Sequence, residues 1–218
     1  AAAVAVSAIC ATAHAQEKFE VKVAEFVGAQ HFMTKWLVQW GEKLEKASGG
    51  RLAFKHFPGS QMGPTPVHYD LARTGQADVS WFLHGGTPGR FPLTEISHLP
   101  YMVGSAEIGT KVLNDPQLRA KYLDAEHKGV HVLMLLTHQP GNIFTTKKPI
   151  RSSADMRGMR LRSASPTVRD FIAGLGATPV GVTPTEILEQ LQKGALDGAF
   201  IDYGGAGIAF KLGGTAKY

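Results

Sequence analysis

The chain has 218 residues, of which 44% are hydrophobic and 19% charged, the composition of a folded globular protein with room for one large or two small domains. Its formal net charge of +5 comes from scattered basic residues, among them Lys18, Lys22, Arg51, Lys55, Arg119, Lys121 and Arg157. No dense basic stripe with interleaved aromatics occurs, which argues against a nucleic-acid partner, while a mild positive balance suits small anions.

The first fifteen residues, AAAVAVSAICATAHA, form an apolar, small-residue run ending in an Ala-x-Ala site at Ala13-His14-Ala15. They read as a signal-peptide remnant, 1–15, with its basic start absent. The run is too short for a membrane anchor, which needs ~20 apolar residues. The single cysteine, Cys10, follows bulky Ile9 and is a poor lipid-attachment site. Cleavage after Ala15 would leave no thiol, so neither disulfide nor thiolate chemistry. An export signal without a lipid site predicts the periplasm of a Gram-negative bacterium.

FEVKVAEFV, 19–27, alternates apolar and polar residues and predicts a strand. Phe32, Trp36, Leu37, Trp40 and Leu44 recur at helical spacing, and Ser48-Gly49-Gly50 ends that helix. RLAFKHF predicts a second strand, 66–74 a short helix stopped by Gly75, and DVSWFL a third strand. HGGTPGRFP and LTEISHLPYM read as loop. Residues 105–126 read as helix broken near Asn114-Asp115-Pro116, GVHVLMLLTH as a strong strand, and NIFTT as a short one. The pattern then returns. MRLRSA is a strand, and Ser165 caps a helix with Pro166 at its first position and Gly176 at its close. TPVGV is a strand, Thr183 and Glu186 have capping-box spacing ahead of a helix stopped by Gly194, and ALDGAFI is the last strand.

Both β-α-β-α-β segments end in the same way: a helix, a glycine (Gly75, Gly194), two residues, an aspartate (Asp78, Asp197), then a strand. This weak internal similarity predicts two α/β lobes of one plan, 16–137 and 138–218, with parallel sheets and a ligand cleft between them. Arg162 stands at the carboxyl end of MRLR, just before a helix start, where a lobe presents groups to its cleft. A guanidinium grips a carboxylate with two parallel hydrogen bonds, and the helix N-terminus adds a positive dipole end. The competing reading is an ion pair with Asp155 or Asp170, and the residues alone leave the two open. Arg160, one pleat back, reads as structural.

The stretch SSADMRGMRLRSASPTVRDFIAGLGATPVGVTPTEILEQLQKGALDGAF resembles the DctP-type solute receptors of tripartite ATP-independent periplasmic (TRAP) transporters. The shared pieces are Asp155, Gly158, Arg160-Leu161-Arg162, Leu175-Gly176-Ala177, Pro179-Val180, Glu186, Leu191-Gln192, Gly194 and Asp197-Gly198. ASGGRLAFKHFPGSQMG and GQADVSWFLHGGTPGRFP resemble the family too, so the likeness runs in order over 19–212. The resemblance implies a two-lobe periplasmic binding protein of type II-like plan, with Arg162 as the main ligand of the substrate carboxylate. It implies a small organic anion as cargo and TRAP membrane permease subunits as partners. Family members continue beyond FKLGGTAKY with the rest of the second lobe, so the chain reads as a fragment.

The chain departs from the family pattern twice. Many members carry an arginine where this chain has HQPGNIFTT, with Asn142, and a polar Gln-Glu-Asn where it has Ala199 to Tyr203. One arginine with added aromatics suits a monocarboxylate better than a C4-dicarboxylate. His31 and His84 follow strands and are cleft candidates, though either also suits a capped loop. Alternation puts Trp81 near the ligand and Phe82 in the core, Arg90 as a loop brace, and Tyr203 as an aromatic wall. No HExxH, Gly-x-Ser-x-Gly or phosphate-binding glycine loop occurs, so no metal, cofactor or catalytic role is expected. A periplasmic sensor feeding a signalling protein is the alternative reading.

Overall fold

A computed structural model describes residues 17–218. The expected signal-peptide remnant, residues 1–15, lies outside the described residues. Strand β1 (Phe19–Glu25) is the centre of the first sheet, between β2 (Leu52–Phe57) and β3 (Val79–Trp81), all parallel. Helix α1 (Phe32–Ala47) crosses over from β1 to β2, and α2 (His68–Arg73) from β2 to β3. α1 does not bury the stripe that its aromatics suggest. It buries Met33, Thr34, Leu37 and Gly41, and leaves Phe32 and Trp36 exposed. Gly41 sets this rotation, because a Cβ there would stand 3.0 Å from the Phe54 ring of β2. The helix therefore approaches the sheet along its glycine, and Trp40 meets Phe54 edge-on at 5.4 Å.

The segment after β3 is built from short turns. Helix α3 (Ala106–Leu113) starts at Ser105, whose hydroxyl accepts from the Ile108 amide at 3.2 Å. The chain breaks where expected and restarts as α4 (Pro116–Leu118), capped by Asp115. The predicted strand GVHVLMLLTH is not one. Residues 131–139 run without ladder pairing, and Leu133 and Met134 are exposed. A strand needs a neighbour to take its backbone groups. Here α3 takes them with side chains instead. The Asn114 amide oxygen accepts from Leu135 N at 3.0 Å, and the Thr110 hydroxyl accepts from Thr137 N at 3.1 Å.

The second sheet has the order β4-β7-β5-β6, from β4 (Asn142–Thr145), β5 (Arg160–Ser163), β6 (Thr178–Gly181) and β7 (Gly198–Ile201). β5, β6 and β7 are parallel, but β4 runs antiparallel to β7, so this sheet is mixed rather than wholly parallel. Gly198 lets β7 fit there, since a Cβ would lie 2.6 Å from the Phe144 carbonyl oxygen. Helix α5 (Pro166–Gly174) joins β5 to β6, and α6 (Ile187–Gln192) precedes β7. Leu161, Ile172 and Ile187 are fully buried, each contributing about 1.5–3 kcal/mol.

The internal similarity of the sequence is a repeated structural device. The order β2-β1-β3 matches β6-β5-β7. In the first lobe Lys22 N donates to the Asp78 carboxylate at 2.8 Å, and Asp78 N donates back to Lys22 O at 3.0 Å. In the second, Arg160 N and the Asp197 carboxylate, then Asp197 N and Arg160 O, repeat the exchange at 2.9 Å each. The aspartate ahead of one strand bonds the backbone of the neighbouring strand, at the middle of β1 and at the first residue of β5, which helps fix the register of both sheets.

Candidate functional site: a cleft around Arg162

Strand β5 carries Arg162 to the carboxyl edge of its sheet, opposite Val180 of β6 and Ala199 of β7. The guanidinium spans three strand ends. Its Nε donates to Val182 O at 3.0 Å and one terminal nitrogen to Phe200 O at 2.8 Å. The other terminal nitrogen has no hydrogen-bond partner among the described residues. The side chain is only 5% exposed, and burial alone pushes its pKa down to about 10. Neither acid offered by the sequence pairs with it. Asp155 caps its own turn through the amides of Arg151 and Ser152, and Asp170 binds Arg169 at 2.9 Å. A buried cation without a counter-ion is costly unless something else supplies the charge.

Arg162 lines a cavity of about 310 Å³ between the lobes. Ser163, Ser165, Thr183 and Glu186 share its side of the wall, and Thr65, Leu83 and the Gly85-Gly86 turn form the facing side. Pro66, Pro88, Pro166, Pro179 and Pro184 make much of the wall rigid and apolar. Ser165 caps α5 by accepting from Val168 N at 3.3 Å, and Pro166 brings no N–H, as the sequence predicts. The Thr183–Glu186 capping box is also formed. Arg169, on the same helix, lines the cavity too, but its charge is matched by Asp170.

The other predicted site residues lie off this cavity. His31 caps α1, accepting from Met33 N at 3.2 Å, and sits 5.6 Å from the Trp81 ring and 6.0 Å from Phe210. Burial lowers its pKa, opposed by Asp202 and Glu25. Trp81 fills the space between Phe26 and His31, so these two predicted residues meet each other, and neither is among the residues lining the Arg162 cavity. Asn142 opens β4 and donates to Pro140 O at 3.0 Å. Tyr203 is 70% exposed and meets Phe144 edge-on. Phe82 packs on Tyr69 and Phe91, on the other side of the strand from Trp81. Arg90 braces its loop by two bonds of 2.8 and 2.9 Å to Asp70, across the Tyr69 ring.

His84 stands in the chain between the cavity residues Leu83 and Gly85, and is not itself among the lining residues. Its Nε2 is 2.8 Å from His127 Nε2, and its ring packs on Phe82 and Phe91. His127 Nδ1 faces the Leu123 carbonyl at 2.8 Å, which can only accept, so that nitrogen carries the hydrogen. In that tautomer His127 Nε2 is the acceptor and His84 Nε2 the donor. Burial, reinforced by His127 and then His98, pushes the His84 pKa down to about 3. Sequence reasoning missed Ser163, Thr183, Glu186 and Thr65 as cavity residues. The available signal was their place at strand ends and caps beside Arg162.

Residues 23–218 match the family model for bacterial extracellular solute-binding protein, family 7, known as DctP. The chain belongs to this family. Its DctP fold is shared with solved TRAP solute-binding proteins. A marine metagenome protein specific for aromatic acids, bound to 3-hydroxybenzoate, is 32% identical with a TM-score of 0.86, covering 92% of this chain and 62% of that one. A Rhodoferax ferrireducens protein with copurified benzoate is 33% identical with a TM-score of 0.78, covering 84% and 57%. A Bordetella bronchiseptica protein with bound mandelate is 30% identical with a TM-score of 0.79, covering 91% and 62%. The chain spans about half the length of the curated relatives it matches, 49% and 54% for the first two. The two-lobe fold expected from the sequence is the fold of these DctP neighbours. No helix among the described residues is long and apolar enough to cross a membrane.

Proposed function

We propose that this protein is an extracytoplasmic receptor for a small organic acid, which it passes to a TRAP membrane permease from the periplasm. The observation that carries the reading is the buried Arg162 guanidinium, with one terminal nitrogen unpaired, on the wall of an interlobe cavity. Residues 16–137 form one lobe and 138–218 belong to the other. The acid enters between them, its carboxylate pairs with Arg162, and hinge closure buries the pair. A single uncompensated cation calls for one carboxylate, which favours monocarboxylates over dicarboxylates. The cavity volume and proline-rich wall suit a compact, flat acid. Three similar structures hold 3-hydroxybenzoate, benzoate and mandelate, which supports an aromatic monocarboxylate.

The test is a thermal-shift screen of the full-length mature protein against aliphatic and aromatic monoacids, dicarboxylates and sugar acids. Stabilisation by aromatic monoacids, abolished in Arg162→Ala, is expected. A stable protein that no acid stabilises would overturn the reading and leave Arg162 a structural residue.

A further inference from the structure

Gly85 sits at the centre of the turn that faces Arg162 across the cleft. A Cβ on it would lie 2.6 Å from the Ala164 carbonyl oxygen and 2.9 Å from Ser165 Cβ. Both atoms belong to the other lobe, in the link between β5 and α5 that directly follows Arg162. Real Cβ atoms essentially never come so close. The backbone itself does not demand glycine here, because Gly85 is not among the residues with positive φ. The requirement therefore comes from the opposite lobe and not from the turn.

Neither side can yield easily. On one side, His84 opens the turn and is held by the His127 hydrogen bond and by Phe82 and Phe91. On the other, Ala164 lies between the sheet-bonded Ser163 and the helix cap Ser165, and both of those serines are buried. The cheapest relief for an added methyl is to separate the lobes. Gly86, the next residue, differs: its Cβ would meet only Thr65, at 3.2 Å, within its own lobe.

We propose that Gly85 is a positioning residue for lobe closure: its missing side chain lets the first lobe seat on the Ala164 carbonyl and shut the cavity over the acid. The proposal rests on the cleft being the acid site. Gly85 touches the other lobe, so it acts on the population of the closed form. If that population falls to about a tenth, apparent affinity falls about tenfold, even with Arg162 intact.

The experiment uses full-length protein with benzoate as the probe, read by calorimetric affinity and by X-ray scattering with and without benzoate. Gly85→Ala is compared with Gly104→Ala. Gly104 is not a cavity residue, and a Cβ there meets nothing within 4 Å. Gly85→Ala is expected to bind benzoate at least about tenfold more weakly and to lose compaction on binding, with an unliganded melting temperature like wild type. Gly104→Ala is expected to compact normally. Wild-type affinity and compaction in Gly85→Ala would overturn the proposal, as would a fall in its unliganded melting temperature, which would make the glycine a requirement of the fold. Undiminished benzoate binding by Arg162→Ala would sink the carboxylate reading instead, while the scattering of Gly85→Ala still reports closure on its own.

Discussion

Replacing Arg162 with methionine separates its cost to the fold from its use in binding. Methionine keeps a long, flexible apolar stem and removes the charge. Burial depresses the arginine pKa well below its ordinary value, to about 10, which corresponds to about 3 kcal/mol of cost in keeping the cation inside. Removing it releases that cost. The Val182 and Phe200 carbonyls then lose their donors, at about 1–3 kcal/mol each. The two effects nearly offset, so unfolding stability should change by no more than about 3 kcal/mol. Binding has no such compensation. Removing one member of a buried charge pair costs about 2–5 kcal/mol, a loss of roughly thirty- to several-thousand-fold in affinity. Arg162→Lys should fail as well, because an ammonium cannot hold two carbonyls and a carboxylate in one plane. The assay is urea unfolding monitored by circular dichroism, paired with calorimetric titration of benzoate. An Arg162→Met protein that binds like wild type would refute the reasoning. So would one that fails to fold, since the arginine would then be serving the lobe and not the ligand.

Asp197→Ala should cost about 2 kcal/mol, because the carboxylate accepts from the Arg160 amide and guanidinium, yet affinity should hold since Asp197 lies at the far end of β7 from the cavity. Arg160 keeps the Asp197 carboxyl below its ordinary value, so this contribution is present above about pH 4 and fades as pH falls below it; an unchanged acid limb in Asp197→Ala would contradict this. The His84 and His98 pKa values are lowered too, to about 3 and about 4, mainly by burial, which disfavours the charged imidazole. Unfolded histidines titrate near 6.5, so the unfolded state takes up protons first and stability falls from about pH 6.5 downward, by at most about 1.4 kcal/mol per pH unit for each. His84→Phe should flatten this slope in acid titrations followed by circular dichroism, and a stability that stays level from neutral pH to about pH 4 would count against it. Asn114→Ala removes the acceptor of the Leu135 amide, one of two side chains that hold residues 131–139 to α3, so hydrogen exchange at that amide should quicken, and an unchanged rate would refute this role.

Local chemistry was legible along the chain. The Ser165-Pro166 helix start and the Thr183–Glu186 box satisfy backbone groups within a few residues, and the alternation of FEVKVAE and the paired Gly-x-x-Asp ends are short patterns in the chain, so spacing alone reveals them. Arg162 was legible as well, because a strand end followed by a helix cap places it at the sheet's carboxyl edge. The aromatic stripe of α1 and the strand-like GVHVLMLLTH misled, since hydrophobicity states that a residue favours burial but not what will cover it.

What the sequence determined was therefore the two-lobe α/β plan, the family and the arginine at its edge. The tertiary structure decided which partners each group meets. It left Arg162 without an acid, drew Trp81 and His31 together, tied His84 to His127, and set Gly85 against a carbonyl of the other lobe. Each of those contacts joins residues far apart in the chain, and so depends on how whole elements pack, which no local pattern encodes.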